Sequence, residues 1–227
     1  MRDLYINASK VADAIGVSHF KTKDEIYCAK KNTNEFPDIQ IDLSISDQIR
    51  QASETPSINE CNSIEKTLIA EAIQKMPDVK TNRIEEFVKK TISVDRGMIN
   101  ESKIIEELRE TKKLAIKTNN KLYYLNFEFK EANLKIGGKI DGLDKTNNKI
   151  LEVKTRRHKF LGIRDYEEIQ LEIYMKMLNL SKATLVERYE QEERIHEYEH
   201  NPTLYDKIVL GLQDYVEYVC QKYPQLD

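Results

Sequence analysis

The chain has 227 residues, 40% of them hydrophobic and 33% charged, and a formal net charge of −3. That length supports a core of domain size, and with no apolar run of about 18 residues a membrane-spanning helix is excluded. The slight negative balance argues mildly against a nucleic-acid partner, while few glycines and prolines favour a helix-rich globular protein.

The N-terminal Met-Arg-Asp-Leu-Tyr-Ile-Asn lacks the apolar stretch of a secretory leader. Ser9 is placed to cap a short helix over residues 10–15, closed by Gly16, and residues 23–31 predict a second helix. From about 32 to 84 the periodicity fades, with helical pieces expected around 64–75. That stretch reads as a helical insertion decorating one domain that spans residues 1–227. A long helix is expected over 96–117. Residues 122–130, 134–141 and 149–154 alternate as strands do, followed by a helix at 166–178 and a fourth strand at 183–189. The glutamate-rich stretch 190–200 reads as charged and exposed, with no His-Glu-x-x-His pattern to make its histidines a metal site. In the last segment Ile208, Leu212, Tyr215 and Val219 form the apolar stripe of an amphipathic helix. Helix, three-strand meander, helix and strand in this order describe an α/β fold with a mixed sheet. Cys28, Cys61 and Cys220 are odd in number and widely spaced. They read as reduced thiols, so an intracellular protein of cytoplasm or nucleus is expected.

The chemistry concentrates in Lys135-Ile-Gly-Gly-Lys-Ile-Asp-Gly-Leu-Asp-Lys-Thr-Asn-Asn-Lys-Ile-Leu-Glu-Val-Lys154. Asp144-Lys145 and Asn147-Asn148 are turn formers, so the two runs fold as an antiparallel hairpin. Folding it about residue 146 sets Asp141 opposite Leu151 or Glu152. Glu152 and Lys154 share one face and Leu151 and Val153 the other. Two carboxylates about 5 Å apart repel by roughly 3 kcal/mol at an effective dielectric near 20, and a divalent cation relieves that. Glu101, Ile105 and Leu108 fall at i, i+4 and i+7, so Glu101 lies on the stripe of the long helix that faces the sheet. The pattern leaves two readings for it: a rim glutamate reaching solvent or a lysine, or a ligand. Four cations in Lys154-Thr-Arg-Arg-His-Lys159 sit beside this cluster, where a phosphodiester needs both metal and positive charge.

Asp141, ten residues, then Glu152-Val153-Lys154 resembles the PD-(D/E)XK nuclease signature. Within that superfamily the chain is most similar to the lambda-exonuclease/YqaJ-like viral recombinase nucleases. Ile6-Asn-Ala8-Ser9-Lys-Val11 resembles the family's Ile-x-Ala-Ser segment, Arg96-Gly97-x-x-x-Glu101 its arginine-glycine helix, and Tyr166-x-x-x-Gln170-x-x-x-Tyr174 the helix after the Glu-x-Lys strand. The likeness covers about residues 5–28 and 95–190. The aromatic residue and arginine that precede the Ala-Ser segment in the family are absent here, and the stretch after residue 31 is longer.

The resemblance implies a restriction-endonuclease-like core, a central mixed β-sheet flanked by helices. It implies one or two Mg²⁺ or Mn²⁺ ions held by Glu101, Asp141, Glu152 and the Val153 backbone carbonyl. Asp141, Glu152, Lys154 and Gln170 then carry the catalysis, with Lys154 holding or deprotonating the attacking water. Ser9, Arg156 and Arg157 grip phosphates. Tyr166 packs against a sugar or base, or simply within the core. The activity implied is Mg²⁺-dependent hydrolysis of DNA, as a 5′-to-3′ exonuclease of recombination, repair or replication. A structure-specific or single-strand endonuclease on the same core, an RNA endonuclease and a non-catalytic DNA-binding scaffold remain alternatives. DNA is the implied partner, a single-strand annealing recombinase a second one, and homo-oligomers are compatible with the family.

Overall fold

Alternating apolar residues give this chain the strands of two sheets, and amphipathic stripes give it the helices that pack on them. The computed structural model describes residues 2–29, 36–112, 115–118 and 121–224. Its first part runs β1 (Arg2–Asn7), a 3-10 turn (Ala8–Lys10), α1 (Val11–Ala14), α2 (Lys23–Ala29), α3 (Leu43–Glu54), α4 (Ile58–Lys75) and α5 (Thr81–Lys112). Then follow β2 (Ile116–Thr118), β3 (Tyr123–Glu128), β4 (Ala132–Gly138), β5 (Gly142–Asp144) and β6 (Lys149–Thr155). The chain closes with α6 (Asp165–Leu178), β7 (Lys182–Tyr189), β8 (Glu192–Glu199) and α7 (Pro202–Lys222). Of the helix expected at 23–31, residues 30 and 31 lie outside the described residues, as do 113 and 114 of the one expected at 96–117.

The fold is α/β with a mixed central sheet, as the sequence predicts. Five strands lie in the order β2-β5-β6-β7-β8, and three more in the order β1-β4-β3. β6 and β7 run parallel, joined through α6, while β5 and β8 pair antiparallel at their flanks. Leu134 and Ile136 of β4, Ile150 of β6, Leu185 of β7, Leu171 and Ile173 of α6 and the α7 stripe Ile208, Leu212, Tyr215 and Val219 share the main core. Fully burying each such side chain contributes about 1.5–3 kcal/mol. Among the described residues no helix is long and apolar enough to cross a membrane.

Three expectations are corrected. The three-strand meander is divided between the two sheets: the strand expected over 134–141 stops at Gly138, and the chain bends before β5 begins. Asp141 therefore sits where the chain passes from one sheet to the other. A side chain at Gly138 would place Cβ 2.5 Å from Tyr174 Cε1 and 3.0 Å from Ala8 Cβ, so glycine permits the close approach of α6 and the N-terminal turn.

The long helix begins at Thr81 and ends at Lys112, so Lys117 belongs to β2 instead. Ile84, Val88 and Ile92, spaced by four, join Ile45 and Ile49 of α3 and Cys61, Leu68 and Ala72 of α4 in an apolar cluster of their own. Farther along, Ile104, Ile105 and Leu108 pack on Leu151, Val153 and Val186 of the large sheet. One helix thus serves a helical bundle with its first half and the sheet with its second. The stretch taken as an insertion, 32–84, contains α3, α4 and the start of α5, and the bundle's apolar cluster runs on to Ile92.

Residues 190–200 are charged and largely exposed, as expected, but they are also ordered as a strand. They form the edge strand β8, whose His196 Nε2 lies 2.8 Å from Glu187 Oε2. His200 Nδ1 pairs with Glu172 Oε2, and the Tyr198 hydroxyl donates to Glu172 Oε1 at 2.8 Å. Glu172 and Glu187 are fully buried, so these histidines serve to satisfy interior carboxylates.

Candidate metal centre

Period-two alternation along β6 decides the site. Leu151 and Val153 go to the α5 side, and Glu152 goes to the α6 side, where Gln170 reaches it. The β5–β6 turn closes through Asn148, at φ 53°, a left-handed position that asparagine tolerates. Pairing of Gly142 with Leu151 brings Asp141 beside Glu152. Because β5 starts only at Gly142, the Val153 amide has no β5 partner, and Asp141 Oδ2 accepts its N–H at 2.8 Å. The same residue's carbonyl is the backbone ligand that the family resemblance implies.

Glu152 is 3% exposed. Its Oε1 accepts from Lys154 Nζ at 2.6 Å and from Gln170 Nε2 at 3.1 Å. Gln170 Nε2 also donates to the Tyr174 hydroxyl at 2.9 Å, one helical turn on. The other oxygen, Glu152 Oε2, is buried and has no hydrogen-bond partner. An unpartnered buried polar atom costs about 1–3 kcal/mol and more when charged, so a native protein keeps one for a reason, commonly a water or an ion. Glu101, one turn before Ile105 on α5, reaches the same neighbourhood from the helix side.

The electrostatics record this convergence. Burial, then Glu152 and Glu101, push the Asp141 carboxyl well above its ordinary range. Burial and Glu152 also raise Glu101, with Lys154 opposing. Burial alone would lower Lys154, but Glu152 and Asp141 outweigh it, and the amine is held firmly as an ammonium. Burial and the Glu152 charge push the Tyr174 hydroxyl up, so it stays neutral.

A hard divalent cation suits this donor set of three carboxylates and a carbonyl, and the orphaned Glu152 oxygen is a ligand atom without a partner. Among the described residues, however, no three carboxylate, imidazole or thiolate groups already stand close enough to grip an ion. Lys154 holds Glu152 in the meantime. The residues fit a metal, and binding requires their side chains to adjust.

Other residues of the expected site fall differently. Arg156 is a correction: it was expected to grip phosphates, yet it is 8% exposed and fully engaged inside the protein. Its Nε donates to Glu187 Oε1 at 2.6 Å, and its two terminal nitrogens donate to Glu167 at 2.7 and 2.9 Å. Glu187 also accepts the Leu161 and Gly162 amides at 3.0 Å each. This cluster pins the start of α6 to the sheet and so aims Gln170 at Glu152. Glu167 was not singled out from sequence, although its spacing three residues after Arg164 is that of a capping glutamate, and its carboxylate does accept the Arg164 amide at 3.0 Å. Arg157 bonds Asn62 at 2.6 Å and lies 3.3 Å from Glu65, tying the segment after β6 to α4. Ser9 corrects the capping expectation, because it lies inside the 3-10 turn and Lys10 precedes α1 as its cap. It is exposed beside Ala8, which packs against Gly138 three residues before Asp141. Tyr166 is half-buried at the start of α6, its ring against Phe20.

No family model and no curated protein matches the chain. Among solved structures it is similar to an alkaline exonuclease, LHK-Exo, from Laribacter hongkongensis, at 12% identity over 98% of this chain and 95% of that one, with a TM-score of 0.49. It is also similar to a phage-related exonuclease from Haemophilus somnus 129PT, at 15% identity over 96% of both chains, with a TM-score of 0.46. What this site can do follows from its own groups.

The raised carboxyls give a pH signature. In the unfolded chain Asp141 and Glu101 ionise in the ordinary range near 4; folded, both hold their protons to higher pH. Their contribution to stability is therefore complete below that range and is lost as pH rises through the raised values. A divalent ion needs the ionised forms and competes with those protons. Thermal unfolding with Mn²⁺ and with a chelator is expected to show a larger metal-induced rise in Tm at pH 8 than at pH 5. An equal rise at both would show that the ion binds elsewhere.

Proposed function

We propose that this chain is a divalent-metal-dependent nuclease that hydrolyses DNA phosphodiester bonds, an exonuclease working 5′ to 3′ in recombination, repair or replication. The observation that carries the chemistry is the buried, unpartnered Glu152 Oε2, in a carboxylate that Lys154 grips and whose charge raises both Asp141 and Glu101. Exonuclease action and its polarity rest on the motif resemblance.

Glu101, Asp141, Glu152 and the Val153 carbonyl would hold Mg²⁺ or Mn²⁺, one ion or two. When bound, such a cation draws charge from the phosphate oxygens and makes water a better nucleophile at neutral pH. The chain's own groups do the rest. Lys154, held as an ammonium, donates hydrogen bonds toward the attacking water or a non-bridging oxygen. Gln170 fixes the rotamer of Glu152 through Oε1 and leaves Oε2 free for the metal. Tyr174 accepts from Gln170 and holds it in place. Glu101, Asp141 and Glu152 would lose mutual repulsion with a cation among them, so ion binding and their ionisation favour one another.

The test uses end-labelled linear duplex and closed circular DNA, with Mg²⁺ and with a chelator. Linear duplex should shorten from its 5′ ends only when Mg²⁺ is present, and the closed circle should survive. Cleavage of the circle favours an endonuclease on the same residues, and cleavage in chelator removes the metal from the account.

A further inference from the structure

Phe20 is 75% exposed, an aromatic ring that folding does not bury. It is nevertheless positioned: its ring stands edge-on to Tyr166 at 5.7 Å between centroids, with an interplanar angle of 81°. Tyr166, Gln170 and Tyr174 occupy i, i+4 and i+8 of α6, one stripe along the helix. Gln170 lies on Glu152, so Tyr166 stands about one helical turn, roughly 6 Å along the axis, beyond the residue that touches the proposed metal ligand, and the Phe20 ring lies next to Tyr166.

A cavity of about 530 Å³ opens here, lined by Val17, Ser18, His19, Phe20, Arg164, Asp165 and Tyr166. Ser18 is only 8% exposed, yet its hydroxyl has no hydrogen-bond partner. The space is in the range that takes a small organic ligand. Its walls combine two aromatic rings, a guanidinium, an imidazole, one carboxylate and an unsatisfied hydroxyl. That set suits a flat heterocycle with polar edges attached to an anion, and aromatic rings beside cations are how proteins hold unpaired bases.

We infer that this cavity binds a nucleobase of the substrate strand, one unpaired nucleotide beyond the scissile phosphate, stacked on Phe20. Arg164 and His19 face the adjoining phosphate, and Ser18 supplies a hydrogen bond to the base edge. Tyr166 is a positioning residue that holds the Phe20 ring at the working angle. This assignment rests on the nuclease reading and deepens it, by giving the site a preference for a strand with a base at that place.

The chain contains no tryptophan, so Phe20→Trp installs a sole fluorophore at the stacking position. Titration of that variant with a single-stranded dT oligonucleotide in Ca²⁺ should quench its emission. In steady-state cleavage with Mg²⁺, Phe20→Ala should weaken kcat/KM on a duplex with a short unpaired end by about 5- to 150-fold, the range of one stacked base. The same duplex made abasic at the unpaired positions should be cut equally by wild type and Phe20→Ala. Circular dichroism of both variants should match wild type, since the side chain is exposed. Unquenched emission despite oligonucleotide binding, or an equal loss on base-bearing and abasic substrates, overturns the base assignment while leaving the nuclease reading intact. No cleavage of any substrate by wild type overturns both.

Discussion

Glu152→Gln is expected to lower Mg²⁺-dependent DNA cleavage by at least about a thousandfold while leaving the protein folded. The substitution keeps the shape of the side chain, so its Oε1 can still accept from Lys154 and Gln170. It turns the orphaned Oε2 into an amide that donates, where a cation needs an oxygen. It also removes one of the charges that raise Asp141 and Glu101, which offsets the loss of the Lys154 ion pair, so the metal-free variant should melt close to the wild-type temperature. Calorimetric unfolding and cleavage kinetics of the purified variant read both effects. Lost activity together with a lowered Tm would make Glu152 a structural residue instead.

The second large effect concerns stability. Arg156→Ala leaves Glu167 and Glu187 inside the protein without their guanidinium partner. Both carboxylates are essentially buried, at 1% and 0%. Breaking such a pair from one side costs about 3–5 kcal/mol, because a charge is left uncompensated. For a chain of this length that corresponds to a fall in Tm of roughly 6–20 °C. His196 would remain on Glu187 and soften the loss. Arg156→Lys restores charge but not the two-pronged contact with Glu167, and should recover only part of the stability. A fall in DNA affinity at unchanged Tm would return Arg156 to the phosphate-binding role expected from sequence.

What was legible in the sequence followed from local periodicity. Alternation in residues 149–154 together with the Asn147-Asn148 turn placed Asp141 opposite Leu151 or Glu152, and the observed pairing of Gly142 with Leu151 selects Glu152. The stripe of Glu101, Ile105 and Leu108 placed a helix on the back of that sheet, where Ile105 and Leu108 now pack. Elements whose order comes from distant partners were hidden. β2 and β5 have three residues each, too few to show a period. β8 is an edge strand, so most of its side chains meet water and its apolar signal is weak. The first half of α5 buries its stripe against α3 and α4, segments that carried no clear pattern themselves. Arg156 looked like part of a solvated basic run because Glu167 and Glu187 lie 11 and 31 residues away.

Crystals of the protein grown with Mn²⁺ test the central idea most directly. An anomalous peak about 2.1 Å from Glu152 Oε2, shared with Asp141 and Glu101, is the predicted result. Lys154 should then have left its contact with Glu152 Oε1. A map with no peak there, and with Lys154 still seated on Glu152, would contradict it.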